Sequence, residues 1–173
     1  LGVSLAAAKA DAAKMIAINP LPEAGLMNFV DPNPQHGNPL AILGIRPTKL
    51  ADLHLPIRIG GDMAVLKGIM KLMLERERAK PGTIFDQKYI DAKTSGYDEL
   101  IGSLDASDWS DILSSSGLSQ NQIEEAAEMV ISARSMITCW AMGVTQHRDA
   151  VATIQDIVNL HLLLGQIGKP GAG

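Results

Sequence analysis

The sequence predicts an α/β fold, a Rossmann-like three-layer domain with a small, mainly parallel sheet flanked by helices. Short β-prone apolar runs alternate with longer stretches of helical periodicity, the order that builds a parallel sheet. Clusters of proline, glycine, asparagine and aspartate separate the two kinds of segment. Only three runs read convincingly as strands, so the sheet is expected to be small. All 173 residues are expected to form one α/β domain that is a fragment of a larger polypeptide.

In chain order, Leu1–Ala13 is alanine-rich and helical by propensity. Lys14–Ile18 reads as a buried strand, ended by Asn19-Pro20-Leu21-Pro22, because proline cannot donate to a ladder. Residues 23–48 read as an irregular loop carrying Pro32, Pro34, Pro39 and Pro47, with Gly37 and Gly44. Leu50–Ile57 alternates apolar and polar residues, with Leu53 and Leu55 on one face, and forms the second strand. The turn Arg58-Ile59-Gly60-Gly61-Asp62 opens a helix, with Asp62 as the expected N-cap. Met63, Leu66, Met70, Met73 and Leu74 give its buried stripe through about Arg78, with the methionines as core filler.

Lys80-Pro81-Gly82 breaks that helix. Phe85–Lys93, Tyr97–Leu104 and Ser107–Leu113 come next as short helices. Ser119 and Gln122 form a capping box before a helix reaching Ala133. Ser135–Trp140 is the third expected strand, and Cys139 within it is expected to be a buried core thiol. His147–Leu164 is the last helix, apolar on more than one face, with Gly165 as its C-cap glycine.

Composition narrows the function classes. The net charge is −4, and the densest charge cluster, Lys67 to Lys80, mixes both signs, so it reads as a solvated helix face. Nucleic acid needs clustered Lys and Arg and is not an expected partner. One cysteine excludes an internal disulfide and a cysteine-based metal site. No run of about eighteen apolar residues suggests a membrane span, and no signal-peptide pattern opens the chain, so the expected location is the cytoplasm. Leu1 in place of methionine, within what reads as the middle of a helix, points to a fragment.

In an open parallel sheet, ligands bind at the carboxyl ends of the strands. Three segments fall there: Asn19 to Glu23, Gly60 to Asp62, and Gly143 to His147. Gly60, Gly61 and Gly143 permit close backbone approach. Asp62 can accept from a guanine amino group or a ribose hydroxyl. Thr145 and Gln146 can bond a phosphate or a pterin-like edge near a helix start. Equally, Gly60-Gly61-Asp62 serves as an ordinary turn and cap, and Thr145 as a cap for the last helix. No G-x-G-x-x-G occurs, so a Rossmann NAD site has no support. Glu23, His36 and His147 are the loop residues with acid/base capacity, none with a visible partner.

The segments Trp140-Ala-Met-Gly-Val-Thr-Gln146, Ala150-Val-Ala-Thr-Ile154 and Asn159 through Gly165-Gln-Ile-Gly168-Lys-Pro-Gly171 resemble the molybdopterin oxidoreductase family. The closest likeness is to formate dehydrogenase-like alpha subunits. Ile16-Ala-Ile-Asn19-Pro20 stands where the family has a strand followed by Asp-Pro-Arg. Leu50 to Pro56, then Gly60-Gly61-Asp62-Met-Ala-Val-Leu66, resembles its segment ending in Gly-Thr-Asp-x-Ala-Leu. Phe85–Ile90 and Thr94–Glu99 resemble the family's segment after that helix. The motifs occur in the family's order across essentially the whole chain.

That resemblance implies a cofactor-binding domain for one of two molybdopterin guanine dinucleotides, which together hold molybdenum or tungsten for two-electron oxidation or reduction of a substrate. Asn19, Gly61 and Asp62 are then expected to face the guanine nucleotide, and Gly143, Thr145 and Gln146 the pterin or its phosphates. Asn-Pro-Leu in place of Asp-Pro-Arg implies a less charged clamp and a substrate other than formate. The resemblance puts any [4Fe-4S] cluster cysteines and the metal-ligating residue in the parent protein upstream, and an arginine-bearing segment downstream. No catalytic and no metal-ligating residue is therefore expected here. The expected partners are the missing domains of the same polypeptide and an electron-transfer partner. Apolar surface is expected where those domains pack, and the isolated chain is expected to lose the cofactor. Two other readings are a standalone nucleotide-binding or protein-interaction domain without redox activity, and an unrelated α/β enzyme using His147 or Glu23 as a base.

Overall fold

The computed structural model describes Ala8, residues 11–29 and residues 48–173. The helix expected over residues 1–13 lies largely outside them, as do residues 30–47, which include His36. The chain divides into two compact units, Leu1–Pro56 and Ile57–Gly173.

The first unit carries the sheet. Strand β1 (Ile16–Ile18) leads into the single helical turn α1 (Ala24–Met27), then β2 (Asn28–Phe29), β3 (Thr48–Lys49) and β4 (Leu53–Leu55). β1 and β4 are parallel, with Ile16 opposite Leu53 and Ile18 opposite Leu55. The α/β class and the small parallel sheet therefore stand as expected. Asp52 sets the start of the pair: its Oδ2 accepts from Met15 N at 2.8 Å while its own N donates to Met15 O at 2.9 Å. Ala17, Leu50, Ala51 and Leu55 are buried. The stretch expected to be irregular from residue 23 is ordered at both ends. β2 and β3 pair antiparallel, Asn28 opposite Lys49 and Phe29 opposite Thr48.

The second unit is helical. It contains α2 (Asp62–Ala79), α3 (Gln87–Lys93), α4 (Tyr97–Ala106), α5 (Trp109–Ser116), α6 (Gln120–Ser132), the single turn α7 (Met142–Thr145) and α8 (Ala150–Leu163). Helix α2 is its axis. Val65, Leu66, Ile69, Met70, Leu72, Met73 and Leu74 are all buried, so the apolar stripe spans more of the circumference than one amphipathic face. Helices α4, α5, α6 and α8 all pack on it. Gly68 lets two of them come close: a Cβ there would meet Ile123 Cγ2 at 3.0 Å and Ile112 Cγ2 at 3.1 Å. A mid-helix glycine costs about 1 kcal/mol in propensity. The close approach of α5 and α6 offsets that cost.

The mixed charges on α2 are not simply solvated. Arg78 makes a bidentate pair with Asp105 at the end of α4, at 2.7 and 2.8 Å, and Arg76 pairs with Glu128 of α6. Lys71 Nζ donates to Leu104 O at 3.0 Å, covering a terminal carbonyl of α4. Glu77 accepts from the backbone of Gly82, Ile84 and Phe85 and so folds the chain back after the helix break. The Ser119–Gln122 capping box forms as expected at the start of α6. Gly165, next after the C-cap Leu164 of α8, takes φ +59°, the left-handed position at which a helix stops.

Three local expectations are corrected. Asp62 is the first residue of α2 and Gly61 is its cap, because the turn closes through Gly61 N donating to Arg58 O at 2.8 Å. Ser135–Trp140 opens on a bend at Ser135 and belongs to no sheet among the described residues. Its backbone bonds run instead to Gly173, with Thr138 N donating to Gly173 O and Gly173 N donating to Met136 O, both at 3.0 Å. Cys139 is exposed, since it and Ile137 point away from the side on which Met136 and Thr138 are half-buried.

This packing sets two stability outcomes. A Cβ at Gly61 would lie 3.0 Å from Arg58 O, Ser115 O and Ser116 Cα, all backbone atoms that cannot swing aside. Gly61→Ala is therefore expected to cost about 1–3 kcal/mol in a denaturant titration; an unchanged midpoint would refute the packing. Asp156 on α8 is buried, and desolvation pushes its carboxyl up, opposed by Lys67 and by the bond from Asn159. A raised carboxyl binds its proton more tightly folded than unfolded, so its stability contribution is greatest at acid pH and is lost as pH rises through the folded value. Wild type should lose more thermal stability between acid and neutral pH than Asp156→Asn. Coincident pH slopes for the two proteins would contradict this.

Candidate functional site

The expected site residues lie on three segments. Asn19 comes directly after β1 at its carboxyl end and is half-buried. Its N donates to Leu55 O at 3.2 Å, and its O accepts from His54 Nε2 at 2.9 Å. Its side-chain amide donates to Leu21 O at 2.7 Å, which bends the chain at Pro20 and leaves Oδ1 as the side-chain acceptor. These bonds hold the backbone rigidly just where a strand-end ligand would be read.

Gly61 and Asp62 form the corner at the start of α2. Helix α2 begins with no side-chain cap, and the Asp62 carboxylate in its first turn lies at the positive end of this 18-residue helix. Gly61 is buried and packs on the end of α5, so its missing Cβ serves the fold directly. Gly60 differs: it takes φ +83° and has open space where a Cβ would be. Ile59 beside it is 84% exposed.

Gly143, Thr145 and Gln146 lie in and just after the turn α7, and all three are exposed. No atom lies within 4 Å of a Cβ built on Gly143, so this glycine has no packing role. Thr145 does not cap the last helix. That helix starts at Ala150 after Asp149, with no side-chain cap bond. Exposed Trp140 precedes the turn, exposed Met142 opens it, and Val151 is exposed on α8. Helix α7 packs on α8.

The polar groups these segments offer are the Asn19 amide oxygen, the Asp62 carboxylate, the Thr145 hydroxyl and the Gln146 amide. A cleft of about 450 Å³ lies elsewhere in the helical unit, lined among others by Met63, Lys67, Tyr97, Glu99, Gln155 and Asp156. None of the six expected residues lines it. The acid/base alternatives gain nothing: Glu23 is exposed and leads into α1, His147 lies in the turn before α8, and neither side chain meets a hydrogen-bond partner among the described residues. No group of three metal-ligating side chains occurs among the described residues, and no described helix is long and apolar enough to cross a membrane.

One set of polar residues was not anticipated from the sequence. His161 is 2% exposed on α8, and its Nε2 lies 2.7 Å from Thr138 Oγ1. Buried Gln166 accepts from Met136 N through Oε1 at 3.2 Å, and its own N donates to His161 O at 2.9 Å. Burial pushes the His161 imidazole down. The available signal was its position four residues after Ile157, on the buried side of the last helix.

A family model for molybdopterin oxidoreductases matches residues 4–173. Protein YdeP of Escherichia coli (strain K12) is 46% identical over 165 residues, spanning 93% of this chain and 21% of that protein. The uncharacterized oxidoreductase Rv2900c of Mycobacterium tuberculosis is 41% identical over 174 residues, spanning 98% and 21%. The nitrate reductase of Synechocystis sp. is 36% identical over 125 residues, spanning 72% and 17%. Among solved structures, the acetylene hydratase from Pelobacter acetylenicus superposes with a TM-score of 0.69 over 95% of this chain and 19% of that one. At 18% identity that likeness is one of fold. The chain thus spans about a fifth of the length of these relatives. With the family model matching nearly every residue and close relatives aligning along the same length, this chain belongs to the molybdopterin oxidoreductase family.

Proposed function

We propose that this chain is a cofactor-binding portion of a molybdenum or tungsten oxidoreductase carrying two molybdopterin guanine dinucleotides, of the formate dehydrogenase-like type. Membership of the family implies a molybdopterin-metal cofactor. The observation that carries the finer reading is the corner at Gly60–Asp62. An uncapped helix start with an acidic residue in its first turn offers a carboxylate to the guanine N–H edge beside N–H groups suited to phosphate. Asn19 offers guanine an amide oxygen in place of a carboxylate. Gly143, Thr145 and Gln146 face the pterin or its phosphates, where the open space beside Gly143 admits a flat ring close to the backbone. When bound, the cofactor supplies the two-electron metal centre. The residues of this chain bind and orient it.

The remaining length of such an oxidoreductase supplies the metal ligand, any iron–sulfur cluster and the contact with an electron-transfer partner. Exposed Ile137, Trp140, Met142 and Val151 suit burial against it. A second reading, a reductase acting on nitrate, is favoured by the nitrate reductases of Synechocystis and Bacillus subtilis, which align over 72% and 73% of the chain.

The full-length protein, purified without oxygen, is expected to contain molybdenum or tungsten and to release GMP on acid hydrolysis. Absence of both sinks the proposal, while assays with formate and with nitrate separate its two forms. Within the site, Thr145→Val and Gly143→Ala change exposed positions and should shift stability by less than about 0.5 kcal/mol. Both should nevertheless lower the GMP retained per protein. Full retention in both variants would remove the pterin-side assignment.

A further inference from the structure

The extended segment 136–140 leads directly into the turn assigned to the pterin, yet no sheet among the described residues holds it. What holds it is a polar clamp. On one edge, Gly173 exchanges backbone bonds with Met136 and Thr138. Underneath, the buried carboxamide of Gln166 takes Met136 N, and the buried imidazole of His161 meets the Thr138 hydroxyl at 2.7 Å. The clamp is internally braced, since Gln166 N donates to His161 O. Met136 and Thr138 thereby face inward, while Ile137 and Cys139 face out.

The geometry also selects a tautomer. His161 Nδ1 is buried and meets no partner among the described residues. A proton on Nδ1 would be a buried donor with nothing to bond, the costlier kind of orphan. The proton therefore belongs on Nε2, which donates to Thr138 Oγ1. A histidine on an otherwise aliphatic part of α8 gains nothing over leucine in packing. Among the described residues, its imidazole makes its hydrogen bond to the segment that leads into the turn.

We infer that His161 is a positioning residue, which through Thr138 sets the 136–140 segment and so orients Gly143, Thr145 and Gln146 toward the cofactor. The inference rests on the proposed pterin-side role of that turn, but the clamp itself rests only on the geometry above. Loss of the contact should free the segment locally, without unfolding α2.

The test uses the intact polypeptide with His161→Leu, His161→Gln and Thr138→Val. Amide hydrogen exchange is read over residues 136–146 and over α2, and GMP and metal are measured per protein. His161→Leu and Thr138→Val are expected to speed exchange over 136–146 roughly fivefold, the loss of about one hydrogen bond, and to lower GMP and metal content. His161→Gln keeps a donor near the Nε2 position and should recover most of both. If His161→Leu does not fold, Thr138→Val carries the test, because it alters only a half-buried hydroxyl. Unchanged exchange over 136–146 overturns the inference, and so does equal acceleration in α2, which would mark general destabilisation. Faster local exchange with undiminished GMP and metal overturns the positioning role. If wild type holds neither GMP nor metal while local exchange still responds, the proposed function fails and the clamp survives.

Discussion

The helical unit depends on the burial of α2 around most of its circumference. An 18-residue helix covered by α4, α5, α6 and α8 cannot tilt or slide without opening voids, because close-packed interiors resist small volume changes. Gly68 draws α5 and α6 close, and Gly61 seats the helix start on the backbone at the end of α5. The corner carrying Asp62 is therefore fixed by core packing. Its position does not depend on a loop.

Polar groups complete what the apolar core starts. Asp105, Glu128 and the terminal carbonyl of Leu104 are met by Arg78, Arg76 and Lys71 from α2, so the charged side of that helix ties its neighbours down. The two ion pairs are largely exposed and each contributes little by itself. Their role is to fix which turn of one helix faces which turn of another. The buried polar side chains act differently. His161 and Gln166 sit within the core and reach outward to a segment with few backbone partners, so they convert the rigidity of α8 into the position of residues 136–140.

The family and the candidate site stand on different grounds. Membership follows from likeness along almost the whole chain, whereas the site is a property of a few residues on three segments. Gly61 illustrates the difference. A glycine at the start of a helix invites the explanation that a ligand must come close, yet here its missing Cβ is required by the backbone of Arg58, Ser115 and Ser116. Gly143, by contrast, has open space where a Cβ would be, so the fold does not need its smallness. Asn19 is likewise held by its own neighbours, through the bonds to Leu21 O and from His54 Nε2.

Local chemistry was legible in the sequence. The Ser119–Gln122 capping box, the glycine after α8, the break at Lys80–Gly82 and the stripe of α2 each depend on residues within a turn or two of one another. The ordered family motifs, and with them the α/β class and the cofactor family, were legible for the same reason. What only tertiary structure decided were features set by distant partners. Whether Ser135–Trp140 became a strand depended on which backbone lay beside it, and Gly173 lay there. Cys139 faced outward because Thr138 was drawn in by His161, a residue 23 positions away. A residue's type and spacing limit the bonds it can make, but which bond forms is settled by the neighbour that folding delivers.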